Sequence, residues 1–193
     1  MPLTRRVAIG LLLLLSGAFL GSAAYIPAKA WLAQRLLERA WQLGQSGSAM
    51  PAPWPWADTR PIMRITQPRL GVSQVVLEGA SGRVLAFAPG WLTVSAMPGE
   101  YGNVVVSGHR DTHFRWLAEL QHADLLTTVL GDGRSKRYRV STMQVHHADE
   151  VGLVDPHRGD QLRLVTCYPF DAVNAGTEWR YVVTALPEPD TAS

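Results

Sequence analysis

The chain holds one cysteine, Cys167, at the end of the apolar run Leu164-Val165-Thr166-Cys167. Pro169 follows two residues later and cannot donate to a sheet ladder, so a strand here must stop and leave the thiol facing a loop. A thiol in that position is a candidate nucleophile; a buried, inert structural thiol is the alternative. A thiol nucleophile needs a group that takes its proton and later protonates a departing amine, and histidine titrates in the right range. The six histidines are His109, His113, His122, His146, His147 and His157. His109 has the best setting, because it follows the valine run Asn103–Ser107 through Gly108 and opens the polar turn Arg110-Asp111-Thr112-His113-Phe114. His113 is the second choice, as a structural or substrate-facing residue. His146 and His147 adjoin on a strand, point to opposite faces and make a poor metal pair. Asp149, Glu150 and Asp155 are ordinary loop acids, so neither a metal nor a cofactor is expected. Acyl transfer also needs a donor for the developing oxyanion. Arg180 opens the last strand, and a loop from Tyr168 to Trp179 returns it beside the thiol if the two strands are neighbours. By spacing alone, a surface arginine is the stronger reading of that residue.

The elements that must carry these residues read as short strands between turns. Ile62–Thr66, Ser73–Glu78, Asn103–Ser107, Leu125–Leu130, Arg137–His146, Gln161–Cys167 and Arg180–Leu186 have strand character, and Gly131-Asp132-Gly133 is a hairpin signal. Gly79 to Gly82 is turn-like, and only Phe114–Leu120 looks helical in the body. Seven or so evenly spaced strands predict an all-β, antiparallel closed barrel or sandwich. Upstream, Lys29–Leu43 has an amphipathic helical pattern that ends at Gly44. Gln45 to Pro55 is a Gly-, Ser- and Pro-rich linker, and Trp54 and Trp56 are expected to dock on the domain edge.

Val7 to Ile26 carries no charge over 20 residues and is preceded by Arg5 and Arg6. At about 1.5 Å per residue such a helix matches a bilayer core of roughly 30 Å. The flanking arginines predict a cytoplasmic N-terminus and an exported body. A cleaved signal peptide is the alternative, with small residues at Ser22-Ala23-Ala24 and Ala28-Lys29-Ala30. The resulting organisation is a cytoplasmic tip and anchor over 1–28, helix and linker over 29–58, a catalytic barrel over 59–187 and a tail over 188–193. In an exported body a lone cysteine has no partner for an internal disulfide, and by count alone a reactive thiol and a buried structural thiol are equally open. The net charge of +2, with basic residues scattered along the chain, gives no case for nucleic acid.

Together these residues resemble the sortases. Their signature is Thr-Leu-x-Thr-Cys with a distant His and Arg. The resemblance is closest to the proteobacterial sortases often called class GN, through Pro53-Trp54-Pro55-Trp56-Ala57-Asp58, Val76-Leu77-Glu78-Gly79-Ala80-Ser81-Gly82, Gly108-His109-Arg110-Asp111-Thr112-His113-Phe114 and Val165-Thr166-Cys167-Tyr168-Pro169-Phe170. It runs from about Tyr25 to Ala185. One departure is Arg163, which stands where the signature has its first Thr. The resemblance implies an eight-stranded β-barrel, with Cys167 attacking the Thr–Gly bond of a Leu-Pro-x-Thr-Gly-like sorting signal on a partner protein. It implies that His109 protonates the leaving amine and deprotonates an acceptor amine, and that Arg180 holds the carbonyl oxygen. It further implies substrate contacts from Thr166, Tyr168, Arg110 and His113. The rivals are an L,D-transpeptidase-like cysteine enzyme, whose pattern of Gly before the cysteine and Arg two residues after it is absent here, and a non-catalytic membrane-tethered barrel.

Overall fold

The computed structural model describes residues 16, 25, 28–46, 49–150, 154–174 and 176–189. The apolar span expected over Val7 to Ile26 lies outside these residues, apart from Ser16 and Tyr25. No helix among the described residues is long and apolar enough to cross a membrane. The chain divides into two compact units, Met1–Leu36 and Leu37–Ser193. In the first, residues 28–36 are helical. The second opens with a helix over 37–45, here α1, and continues into the strands.

Eight strands close a barrel in the order β1-β2-β3-β4-β7-β8-β6-β5. They are β1 (Pro61–Gln67), β2 (Val72–Glu78), β3 (Gly90–Trp91), β4 (Asn103–Ser107), β5 (Leu125–Leu130), β6 (Ser135–His147), β7 (Gln161–Tyr168) and β8 (Trp179–Pro187). Strands β1 and β5 alternate buried with partly exposed residues, which is the period-two signature of a sheet with one face on a core. The valine run of β4 is buried almost throughout, with Val104 and Val106 in the main core and Val105 buried as well. The main core gathers Met63, Ile65, Phe114, Leu117, Tyr138, Leu162 and Leu164. A second cluster packs Leu37 and Trp41 of α1 against Val75, Leu77 and Val84.

The structure corrects several sequence expectations. The barrel is not wholly antiparallel: β2 pairs β3 and β4 pairs β7 in parallel. The long β4-to-β7 connection, which contains β5 and β6, makes the parallel return possible. Strand β3 has only two residues and no alternation to reveal it. The turn-like Gly79 to Gly82 stretch runs into a one-turn helix, α2 (Gly82–Leu85), whose Val84 N–H donates to Ser81 Oγ at 3.3 Å. The expected helix at Phe114–Leu120 is a 3-10 turn over Arg115–Glu119 with no side-chain cap. Trp54 docks edge-on against Phe87, with ring centroids 5.0 Å apart, but Trp56 stays 82% exposed.

Candidate active site

Strand β7 turns Leu162 and Leu164 into the core, and by alternation Thr166 follows them inward. Cys167 therefore lies on the opposite, outer face of the sheet, as a partly exposed free thiol. The antiparallel register makes Arg180 of β8 its direct partner, and Arg180 in turn pairs with His146 of β6. Directly opposed residues share a face, so His146, Arg180 and Cys167 stand three abreast at one end of the barrel. The next register row, Tyr168, Trp179 and His147, faces the other way. There Tyr168 stacks on Tyr181 at 6.1 Å, and Phe170 packs edge-on against Tyr181 at 5.1 Å.

His109 arrives from the other side of β7. Strands β4 and β7 run in parallel register to Ser107 and Val165, and Gly108 N–H donates to the Val165 carbonyl at 3.1 Å. The buried Thr166 hydroxyl then donates to the Gly108 carbonyl at 2.7 Å. The two chains are thus bonded up to the residue before His109 and the residue before Cys167. Gly108 is required there for space as well, because a Cβ on it would meet the Phe114 ring at 2.8 Å. His109 itself is exposed, beyond the last ladder bond.

The remaining residues expected at the site fall into different settings. The Arg180 guanidinium donates through Nη1 to the Thr177 and Trp179 carbonyls at 2.5 and 2.9 Å. His113 lies close enough to feel the charge of His109. Burial pushes its imidazole below the usual histidine range, the His109 charge adds to this, and a hydrogen bond with the Leu85 carbonyl opposes it. Arg110 is only 4% exposed. Its guanidinium donates to the Pro169 and Ala172 carbonyls, each at 2.7 Å, and pairs with the exposed Asp111. The Asp111 carboxyl is held below the usual carboxylate range, first by the hydrogen bond from Arg110. Arg163, at the position where the family signature differs, is buried at 8% exposure, and desolvation lowers its basicity. Sequence reading weighed His146 only as a metal ligand and missed its place beside Arg180, because the β6–β8 pairing has no local signal. Its Nδ1 lies 2.5 Å from Glu150 Oε2. Beside the His109 turn a cleft of about 440 Å³ is lined by Arg110, Asp111, Arg115, Phe170 and Asp171. Among the described residues, no group of three His, Cys, Asp or Glu side chains is placed to hold a metal ion.

Chemically, this rim offers a thiol, an arginine opposite it in the ladder and an exposed imidazole whose loop is bonded alongside. That set can support covalent acyl transfer.

Comparison with known proteins points the same way. The family model described as the sortase domain matches residues 65–188. Among curated proteins, Sortase D of Bacillus subtilis (strain 168) is 34% identical over 116 residues, 60% of this chain. The chain spans 58% of that relative's length. Among solved structures, a Clostridium perfringens Sortase D5 transpeptidase matches with a TM-score of 0.58 and 26% identity, over 67% of this chain and 79% of that one. Sortase C-1 from Actinomyces oris matches with a TM-score of 0.58 and 28% identity, over 67% and 73%.

Proposed function

The chain belongs to the sortase family, and on that premise we propose that it is a cysteine transpeptidase that cleaves a Leu-Pro-x-Thr-Gly-like sorting signal between Thr and Gly. The observation that carries this reading is the register pairing of Cys167 with Arg180, with the His109 loop bonded to the other side of the same strand.

The cycle has two halves. The Cys167 thiolate adds to the threonine carbonyl carbon, and the carbonyl electron pair moves to oxygen. Arg180 donates to that oxygen, exchanging one of its contacts with the Thr177 and Trp179 carbonyls. As the carbonyl re-forms, the C–N bond breaks, and His109 gives its proton to the departing glycine amine. This leaves a thioester on Cys167. An acceptor amine then adds to the thioester carbon, His109 takes the amine proton, and the C–S bond breaks to restore the thiolate. Covalent catalysis divides one difficult amide exchange into two easier steps.

The substrate in this reading is a protein with a C-terminal sorting signal. The uncharged run Val7 to Ile26 behind Arg5 and Arg6 supports a single-pass anchor in the inner membrane with the barrel on the periplasmic side. The motif set quoted above supports a proteobacterial class GN type.

The test is cleavage of a sorting-signal peptide in the presence of a glycine-based amine, with products identified by mass spectrometry. The expected product joins the threonine carbonyl to the added amine. Cys167→Ala abolishes turnover, His109→Ala lowers kcat by about 10²–10⁴, and Arg180→Ala lowers it by about 10²–10³. Cleavage at another bond, or turnover retained by Cys167→Ala, contradicts the proposal.

A further inference from the structure

Arg110 sits between two exposed neighbours, yet its own side chain is buried. A guanidinium is taken out of water only at a cost, unless its donors find partners. Here all three nitrogens do so: Nε and Nη2 on Asp111 at 2.8 and 3.1 Å, Nη1 on the Pro169 carbonyl and Nη2 on the Ala172 carbonyl. Both carbonyls belong to the segment that follows Cys167. In the opposite direction Thr166, one residue before the cysteine, bonds the Gly108 carbonyl, one residue before His109. The ties are reciprocal. Each catalytic residue is bracketed by a contact to the chain that carries the other.

The need for such a tie follows from the topology. The β4–β7 ladder ends at Gly108, so no backbone pairing holds the His109 turn against the loop after Cys167. Two loops joined only at their base drift, and a misplacement of about 1 Å in a reacting group costs on the order of 10² in rate. We propose that Arg110 is a positioning residue, whose buried fork carries the β4–β7 attachment past the end of its ladder and fixes His109 against Cys167. The inference rests on the reading of those two residues as proton carrier and nucleophile. It replaces the expected substrate contact: a peptide could reach the Arg110 fork only by displacing its internal partners. A lysine would keep the charge but, as a point donor, could not span two carbonyls and a carboxylate in one plane.

The experiment compares Arg110→Lys and Arg110→Met with the wild-type chain by kcat and KM on a sorting-signal peptide, backbone amide exchange of residues 109–114 and 168–174 read by mass spectrometry, and thermal melting. Arg110→Lys is expected to lose about tenfold or more in kcat with KM within about threefold, the pattern of lost transition-state geometry, and to exchange faster in both segments. Arg110→Met is expected to lose about 10² in kcat. A raised KM with unchanged kcat assigns Arg110 to substrate binding and overturns the proposal, as does a wild-type kcat in folded Arg110→Lys. If Arg110→Met does not fold, Arg110→Lys decides alone. If the wild-type chain turns over no sorting peptide, the functional reading fails by itself. Amide exchange in Arg110→Lys then still decides, and unchanged rates over residues 109–114 and 168–174 overturn the tie between the two loops.

Discussion

Thr166 shows how much of the site depends on one hydroxyl. It is 2% exposed, and its hydroxyl donates to the Gly108 carbonyl at 2.7 Å. Thr166→Val keeps the shape and removes that donor, leaving a buried carbonyl short of a partner at a cost of about 1–3 kcal/mol. The melting temperature is expected to fall by roughly 2–4 °C per kcal/mol lost, and kcat to fall with it as the His109 loop loosens. Calorimetry and a peptide assay read both, and a variant that matches wild type in both refutes the tie. At this scale the sequence was partly legible. Cys167 stood out because it is the only thiol and Pro169 stops its strand. Arg110 reads from the sequence only as part of a polar turn, and nothing local shows that its acceptors are main-chain carbonyls 59 and 62 residues away.

At the level of elements, side chains join loops at the rim where β1 ends and β5 begins. Asp124 precedes β5 and accepts from Arg69 Nε and Nη2 at 2.8 and 2.6 Å and from Gln121 N–H at 2.8 Å. Arg69, in the β1–β2 turn, also reaches the Glu119 carbonyl at 2.7 Å. Its hydrogen bonds hold the Asp124 carboxyl below the usual carboxylate range, helped by the Gln121 N–H and by the Arg69 charge. A carboxyl whose folded pKa lies below its unfolded value contributes stability in full above the unfolded value and loses it as pH falls through the folded one. The unfolded value is near 3.8, so the loss begins on acidification below about pH 4. Asp124→Asn is expected to melt lower at neutral pH and to show a shallower fall in melting temperature through the acid range. An unchanged acid slope contradicts this assignment. Strand identity was largely legible from alternation and turn residues, as in β1, β5 and the Gly131-Asp132-Gly133 hairpin. Strand order was not, because β4–β7 pairing joins residues 58 apart and leaves no local trace.

For the whole molecule, the barrel brings the ends of β4, β6, β7 and β8 to one rim, and four separate stretches of sequence become one face. The candidate residues could be named individually from the sequence, but their convergence depends on the strand order β4-β7-β8-β6, which periodicity does not encode. The anchor proposal also belongs to this scale. Deleting residues 1–28 is expected to move the protein from the membrane fraction to the soluble fraction while cleavage of a free peptide persists. A full-length chain released from membranes by alkaline carbonate contradicts the anchor.

The central claim is that Cys167 forms the covalent link to substrate. Mixing the protein with a sorting-signal peptide in the absence of an acceptor amine, then measuring intact mass and mapping the adduct by peptide digestion, tests it directly. The account predicts a hydroxylamine-sensitive acyl adduct that ends at the signal's threonine, sits on Cys167 and is absent from Cys167→Ala. Peptide cleavage with no adduct, or an adduct on any other residue, contradicts it.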